Sequence, residues 1–237
     1  MLLLLKKIRR QIIADNKMGK YLLYALGEIC LVVIGILIAL QIDNWNSERI
    51  LKEDAIKSYK NIKRQVSDDQ RELEEAKAVN TYLTKAYEYA NNIIIAGNQN
   101  KTDSLALIAM GLSQYSDFHR SGAIYETLVN SGDLKLLKND EITSALQQLE
   151  TTYIFINKLE DMNWGLIINE LSPELRGVIN YTTREVIKPD KLFAVEMQNI
   201  FYEISNLNKI KNTVYDQALV EIEAIINLID AELSLEN

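Results

Sequence analysis

Leu22 to Ile42 reads LLYALGEICLVVIGILIALQI, and among these 21 residues only Glu28 and Gln41 are strongly polar. A helix of that length reaches about 32 Å, which matches the roughly 30 Å hydrocarbon slab of a bilayer. The stretch therefore reads as a single membrane span, and everything after it must fold outside the lipid. Cleavage as a signal peptide is disfavoured. The apolar run ends Ile38-Ala39-Leu40-Gln41-Ile42-Asp43, with no pair of small residues at the last and third-last positions. Cys30 sits mid-run without the small residues of a lipobox before it. An uncleaved signal anchor over residues 21–45 results, with Trp45 just past the apolar end as an interfacial anchor.

Orientation follows from charge. Residues 1–20 hold Lys6, Lys7, Arg9, Arg10, Lys17 and Lys20 against Asp15 alone, whereas basic and acidic groups balance in residues 43–60. The positive-inside rule then places the N-terminus in the cytoplasm and residues 46–237 on the far side, a single-pass protein with a periplasmic domain. The formal net charge of −7 divides into +5 before the span, −1 from Glu28 within it, and −11 beyond it. A domain that acidic repels nucleic acid. The expected partners are the lipid bilayer and either a second copy of the chain or another membrane or periplasmic protein. In residues 1–20, Leu2 to Leu5, Ile8, Ile12 and Ile13 recur at spacings near four. Either an amphipathic helix on the anionic inner leaflet or a basic flank without fixed structure accounts for that segment.

About 195 residues follow the span, rich in Leu, Ile, Ala, Glu, Asn and Lys, with two prolines in the whole chain. That composition favours an all-α domain with a sizeable core. No Pro or Gly occurs between Gly35 and Gly97, so a helix can run from the membrane through Ile95. Tyr59, Ile62, Val66, Asp69, Leu73, Ala76, Asn80, Leu83, Tyr87, Ala90 and Ile94 follow alternating steps of three and four, and nine of these eleven are apolar or aromatic. This is the seam of a helical bundle or coiled coil. Asp69 and Asn80 interrupt it, and polar seam residues of this kind set register or oligomer number.

Farther along, Asp103 is placed to cap a helix over Ser104 to Ser116, and a helix from Ser121 should end in the left-handed turn at Gly132. Asn139 or Asp140 caps a longer helix with Ile142, Leu146, Leu149, Tyr153 and Ile156 on one face, continuing toward Trp164, Ile167 and Leu171. Ser172-Pro173-Glu174 reads as a new helix start, and Pro189 as the end of that segment. From Lys191 the chain reads helical, with Ile200, Ile204, Leu207, Val214, Ala218, Ile222, Ile225 and Ile229 as its core stripe. The expected fold is a single N-terminal transmembrane helix followed by an antiparallel helical bundle with a long first helix.

The span and its flanks, NKMGKYLLYALGEICLVVIGILIALQIDNWNSER, together with IYETLVNSGDLKLLKNDEI over residues 124–142, resemble a family of uncharacterised Bacteroidota proteins catalogued as a domain of unknown function. In that family a KYLLYAIGEI-like run leads into VVIGILIALQINNWNE. The resemblance implies an inner-membrane protein of a Gram-negative bacterium with a periplasmic domain, and it carries over no activity, cofactor or catalytic residue.

Glu28 is the most unusual residue of the span. Excluding it would leave residues 29–42, about 21 Å of helix and too short to cross. An ionisable group inside the inner half of a membrane is costly and tends to be paired or functional. Three readings stand: ion coupling in a motor-like complex, a polar contact between subunits, or snorkelling to the headgroups. Gly27, Gly35 and Ala39 offer a small-residue face on which two spans can approach.

Enzyme chemistry finds little support. His119 is the only histidine and no cysteine lies outside the span, which removes ordinary zinc sites and Cys-His pairs; no catalytic residue, metal or cofactor is expected. His119 with Ser121 lacks the loop context of a nucleophile. The pairs Asp68-Asp69 and Glu74-Glu75 read as solvated faces, and Tyr82, Tyr87, Tyr89, Tyr115, Tyr125 and Tyr153 as core. The leading expectation is a non-enzymatic, membrane-held interaction or assembly module. Behind it stand a ligand-sensing bundle that signals through a partner and a single-span subunit of an ion-driven complex using Glu28.

Overall fold

The computed structural model describes residues 18–111, 117–118 and 123–235. The segment before Met18, the positions Leu112 and Tyr115, and His119 and Ser121 lie outside them. Regular structure among the described residues is helical, apart from one isolated bridge between Ile179 and Val186. The chain divides into two compact units, Met1–Asp54 and Ala55–Asn237.

Helix α1, Met18–Ile95, contributes to both units and runs for 78 residues. In the first unit none of its apolar stretch is buried, and by length and composition it is the one helix among the described residues able to cross a membrane. α1 stops at Gly97, whose φ of 57° is the left-handed conformation a Cβ disfavours. The Gly97 N–H donates to the Ile94 carbonyl at 2.9 Å and the Asn98 N–H to that of Ile93 at 3.2 Å, the paired bonds of a Schellman cap.

In the second unit, α2 (Thr102–Gly111) and α3 (Ile124–Ser131) are short, and α3 ends in Gly132 at φ 77°. α4 (Asp140–Leu166) begins at Asn139, whose Oδ1 accepts the Glu141 N–H at 2.9 Å. α4 passes into a π-helical turn, Ile167–Leu171, and then α5, Ser172–Arg176. α6 (Pro189–Leu192) and the 41-residue α7 (Val195–Leu235) complete the chain.

Two local expectations are corrected. A helix segment does open at Ser172-Pro173 with the proline in its first turn, but Ser172 is no cap: it has helical dihedrals, its segment makes no side-chain cap hydrogen bond, and α5 continues directly from the π turn. Pro173 has no N–H for the preceding turn and its ring crowds the carbonyl four residues back, and the wider π turn just upstream relieves both problems. Nor does Pro189 end a helix. That segment has already stopped at Gly177, and Pro189 opens α6 at a first-turn position where no N–H is needed.

All eleven positions of the seam on α1 are buried, as is the whole stripe of α7. On α4 the stripe holds through Ile156, Ile167 and Leu171, but Trp164 lies exposed while Glu160 and Asn163 take the inward places. Cross-links order the long helices. As α1 residue numbers climb, their α7 partners descend: Lys63 with Asp230 at 2.5 Å, Lys77 with Asp216, and Glu88 with Lys209 at 2.7 Å. α4 and α7 follow the same rule, with Asn139 to Glu232 at 2.6 Å, Gln217 to Thr152 at 3.3 Å, and Tyr215 to Glu160 at 2.6 Å.

The apolar core forms two clusters. One gathers α1 from Ala55 to Ala76, α4 up to Leu159 and α7 from Leu207 to Ile229, with Phe118, Ile124 and Leu128. The other gathers α1 from Leu83 to Ile94 with Leu105, Ile167, Leu171, Leu192 and α7 up to Ile204.

Candidate functional site

Between the two clusters lies a belt of buried polar side chains. Asn80 and Thr84 come from α1, Glu160 and Asn163 from α4, and Ser205, Asn208 and Lys211 from α7. They account for seven of the nine buried polar residues of the described chain; the others are Asp69 and Thr152.

The belt's centre is ionic. Glu160 is 4 % exposed, and Lys211 and Tyr215 are 0 % exposed. One carboxylate oxygen, Oε1 of Glu160, accepts the Tyr215 hydroxyl at 2.6 Å and the Phe118 N–H at 3.0 Å, so a single side chain ties α7 and the chain before α3 onto α4. The Lys211 Nζ stands 5.9 Å from the Tyr215 ring centroid. Burial pushes the Glu160 carboxyl up to about 7, opposed by the Tyr215 hydrogen bond and the Lys211 charge. The same burial lowers the Lys211 ammonium to about 8, opposed by the charges of Glu160 and Asp117. The buried carboxylate is occupied by the Tyr215 hydroxyl and the Phe118 N–H, so it fastens segments of the chain to one another rather than offering an open surface to a substrate.

Asn80 supplies the amide arm of the belt. Its Nδ2 donates to the Asn208 carbonyl at 2.7 Å and to Asn212 Oδ1 at 2.9 Å, while Asn212 Nδ2 donates to Thr81 Oγ1 at 3.2 Å. Two belt atoms, Asn163 Nδ2 and Asn208 Oδ1, are buried without a hydrogen-bond partner. Such atoms cost about 1–3 kcal/mol each unless water reaches them.

The polar seam residues read from the sequence are both in the second unit and both tied inside the chain. Asn80 is a belt member. Asp69 is 0 % exposed and accepts the Tyr153 hydroxyl at 3.1 Å, which corrects the reading of Asp68-Asp69 as a solvated pair. Glu74 and Glu75 are exposed as expected. Tyr87 and Tyr153 are core residues, but Tyr82 and Tyr89 lie exposed, because they stand off the three-four seam of α1.

The residues of the span are in the first unit. Glu28, Gly27, Gly35, Ala39 and Trp45 are all exposed, and a Cβ built on Gly27 or Gly35 meets nothing within 4 Å. They form an open face of one helix.

Sequence reasoning missed Glu160, Asn163, Asn208, Lys211 and Tyr215, although the spacing held a signal for most of them. The α7 stripe steps from Leu207 to Val214 with position 211 skipped, and the α4 stripe reaches Ile167 from Ile156 only through 160 and 163. A polar residue at the skipped step of an otherwise unbroken stripe is an inward one.

No curated protein and no solved structure matches the chain. Residues 28–201 match a family described as "Family of unknown function (DUF6090)". The matched region takes in most of the span, both polar seam residues, Glu160 and Asn163, and it ends within α7 before Lys211. The chain belongs to this family of unknown function.

Proposed function

We propose that the protein is a membrane-anchored interaction module: a single span with its N-terminus in the cytoplasm of a Gram-negative cell, carrying an antiparallel helical bundle in the periplasm. The opposed numbering of the α1–α7 and α4–α7 links supports the antiparallel arrangement. The basic flank before the span supports the orientation.

The observation that carries the interaction role is the outer face of α4 and its π turn. Ile154, Phe155, Met162, Trp164 and Ile168 are all exposed there, beside Lys158 and Asp161. At 100° per residue Ile154, Phe155 and Met162 fall within about 100° of one another on the side away from the stripe that packs inward, and Trp164 and Ile168 lie on its flank. A contiguous apolar patch with charged residues beside it is a mark of protein docking. The partner is a second copy of the chain or another membrane-held or periplasmic protein. Placing a photo-activatable cross-linker at Met162 in native membranes, then identifying the adduct by mass spectrometry, tests this. A discrete adduct that disappears on Phe155→Asp supports the role; the absence of any adduct at 154, 155 and 162 contradicts it.

A further inference from the structure

Where α1 and α7 run side by side in the second unit, a cavity of about 320 Å³ opens beside the polar belt. Its walls are two helical stripes, residues 88, 91 and 92 of α1 and residues 202, 205, 206 and 209 of α7. We propose that this cavity is a binding site for a small neutral, hydroxyl-rich ligand of the sugar or polyol class. The inference does not depend on the interaction role.

The volume is within the range of small-molecule sites, roughly 300–1,000 Å³. Every lining side chain carries a polar group, which excludes an apolar ligand. The two charged residues, Glu88 and Lys209, pair with each other across the helices at 2.7 Å. An anion entering the cavity would meet the Glu88 carboxylate and a cation the Lys209 ammonium, and either would have to break that pair. A neutral ligand can leave it intact.

Asn91, Asn92 and Asn206 supply amides, each with both a donor and an acceptor, and Ser205 and Tyr202 supply hydroxyls. A hydroxyl group on the ligand also donates and accepts, so it is the functional group that matches such a wall most fully. One wall atom is waiting for a donor: Asn91 Oδ1 is buried and has no partner within the protein. Tyr202, 63 % exposed, adds an apolar ring face to an otherwise polar lining, against which the C–H face of a sugar ring can lie.

The test is saturation-transfer NMR on the full chain in nanodiscs, with glucose, N-acetylglucosamine and myo-inositol as probes and alanine and acetate as charged comparators. At least one of the three neutral probes should give a transfer signal. Asn91→Leu, which removes the acceptor and fills the space, should weaken that binding roughly tenfold or more, the effect of one lost buried hydrogen bond. Tyr202→Ala, at an exposed position that leaves the core alone, should weaken it as well and serves as the readout if Asn91→Leu fails to fold. No signal from any of the three neutral probes, meaning a cavity that holds water only, overturns the proposal. So does binding that survives Asn91→Leu and Tyr202→Ala unchanged, or binding of alanine or acetate in preference to the neutral probes.

Discussion

Glu160→Leu is the substitution on which the reading of the belt stands or falls. The change removes the carboxylate beside a fully buried Lys211 and strips the Tyr215 hydroxyl and the Phe118 N–H of their acceptor. Glu160 and Lys211 attract each other electrostatically in the fold, and deleting one of two coupled buried charges costs up to about 3–5 kcal/mol. Lys211 limits its own part of that loss. With an ammonium already lowered to about 8, it reaches the neutral amine at pH 7 for roughly 1.4 kcal/mol or less. The two orphaned donors cost about 1–3 kcal/mol each, partly offset by burying leucine carbons in place of a carboxylate. A net loss of about 3–5 kcal/mol is a large part of the roughly 5–15 kcal/mol by which domains are stable, and lowers Tm by about 6–20 °C for a domain of this size. The double variant Glu160→Leu/Lys211→Met removes both charges together, and buried pairs replaced that way are often neutral or better. Tyr215 and Phe118 still lack an acceptor in it, so it should recover about 2 kcal/mol of the single variant's loss rather than all of it. Urea unfolding of the full chain in detergent, followed by far-ultraviolet circular dichroism, measures both. A single variant that loses less than about 1 kcal/mol, or a double no more stable than the single, refutes the belt as an ionic lock.

The same pair sets a pH signature. Glu160 has its carboxyl raised from 4.5 to about 7, so its contribution to stability is fully present below about 4.5 and is lost as pH rises through about 7. Lys211 is lowered from 10.5 to about 8, so its contribution is present above about 10.5 and lost as pH falls through about 8. Titrated against Glu160→Gln, the wild-type protein should therefore lose ground steadily from pH 5 to pH 8, and a flat difference would exclude the raised carboxyl. Gly97→Ala should cost about 1–2 kcal/mol in thermal melts, because the position demands φ 57° and a Cβ there meets no neighbour that could compensate; an unchanged Tm would mean the cap relaxes. Glu28→Gln should leave membrane retention and the Met162 adduct intact, whereas loss of cellular function with both preserved would favour an ion-driven complex instead.

The long helices were legible because their signal is repeated. Eleven seam positions on α1 agree with one another, and no single polar residue outweighs the rest. The caps at Gly132 and Asn139 were readable for a local reason, since each residue type satisfies a backbone requirement that few others can, whereas Asp103, read as a cap, lies inside the first turn of α2. Ser172 misled because a serine before a proline usually caps a new helix, whereas here the chain is already helical through the π turn when it reaches Ser172-Pro173. The belt was harder still. Glu160 and Lys211 are residues that water normally claims, and inside they depend on partners distant in sequence: Glu160 on the Tyr215 hydroxyl and the Lys211 charge, Lys211 on the charges of Glu160 and Asp117. The apolar face of α4 was hidden for the opposite reason, since exposed isoleucine and phenylalanine at seven- and eight-residue spacings look like core until the true core stripe is assigned beside them.

Protease accessibility of the mature chain tests the central claim most directly, that the Leu22–Ile42 helix keeps the protein in a membrane with its helical domain on the outer side. In intact spheroplasts of a Gram-negative host, added protease should digest residues beyond 46 while the full-length chain sediments with the membranes. A domain that resists digestion until the spheroplasts are lysed, or a product found soluble and shortened through the span, would contradict it.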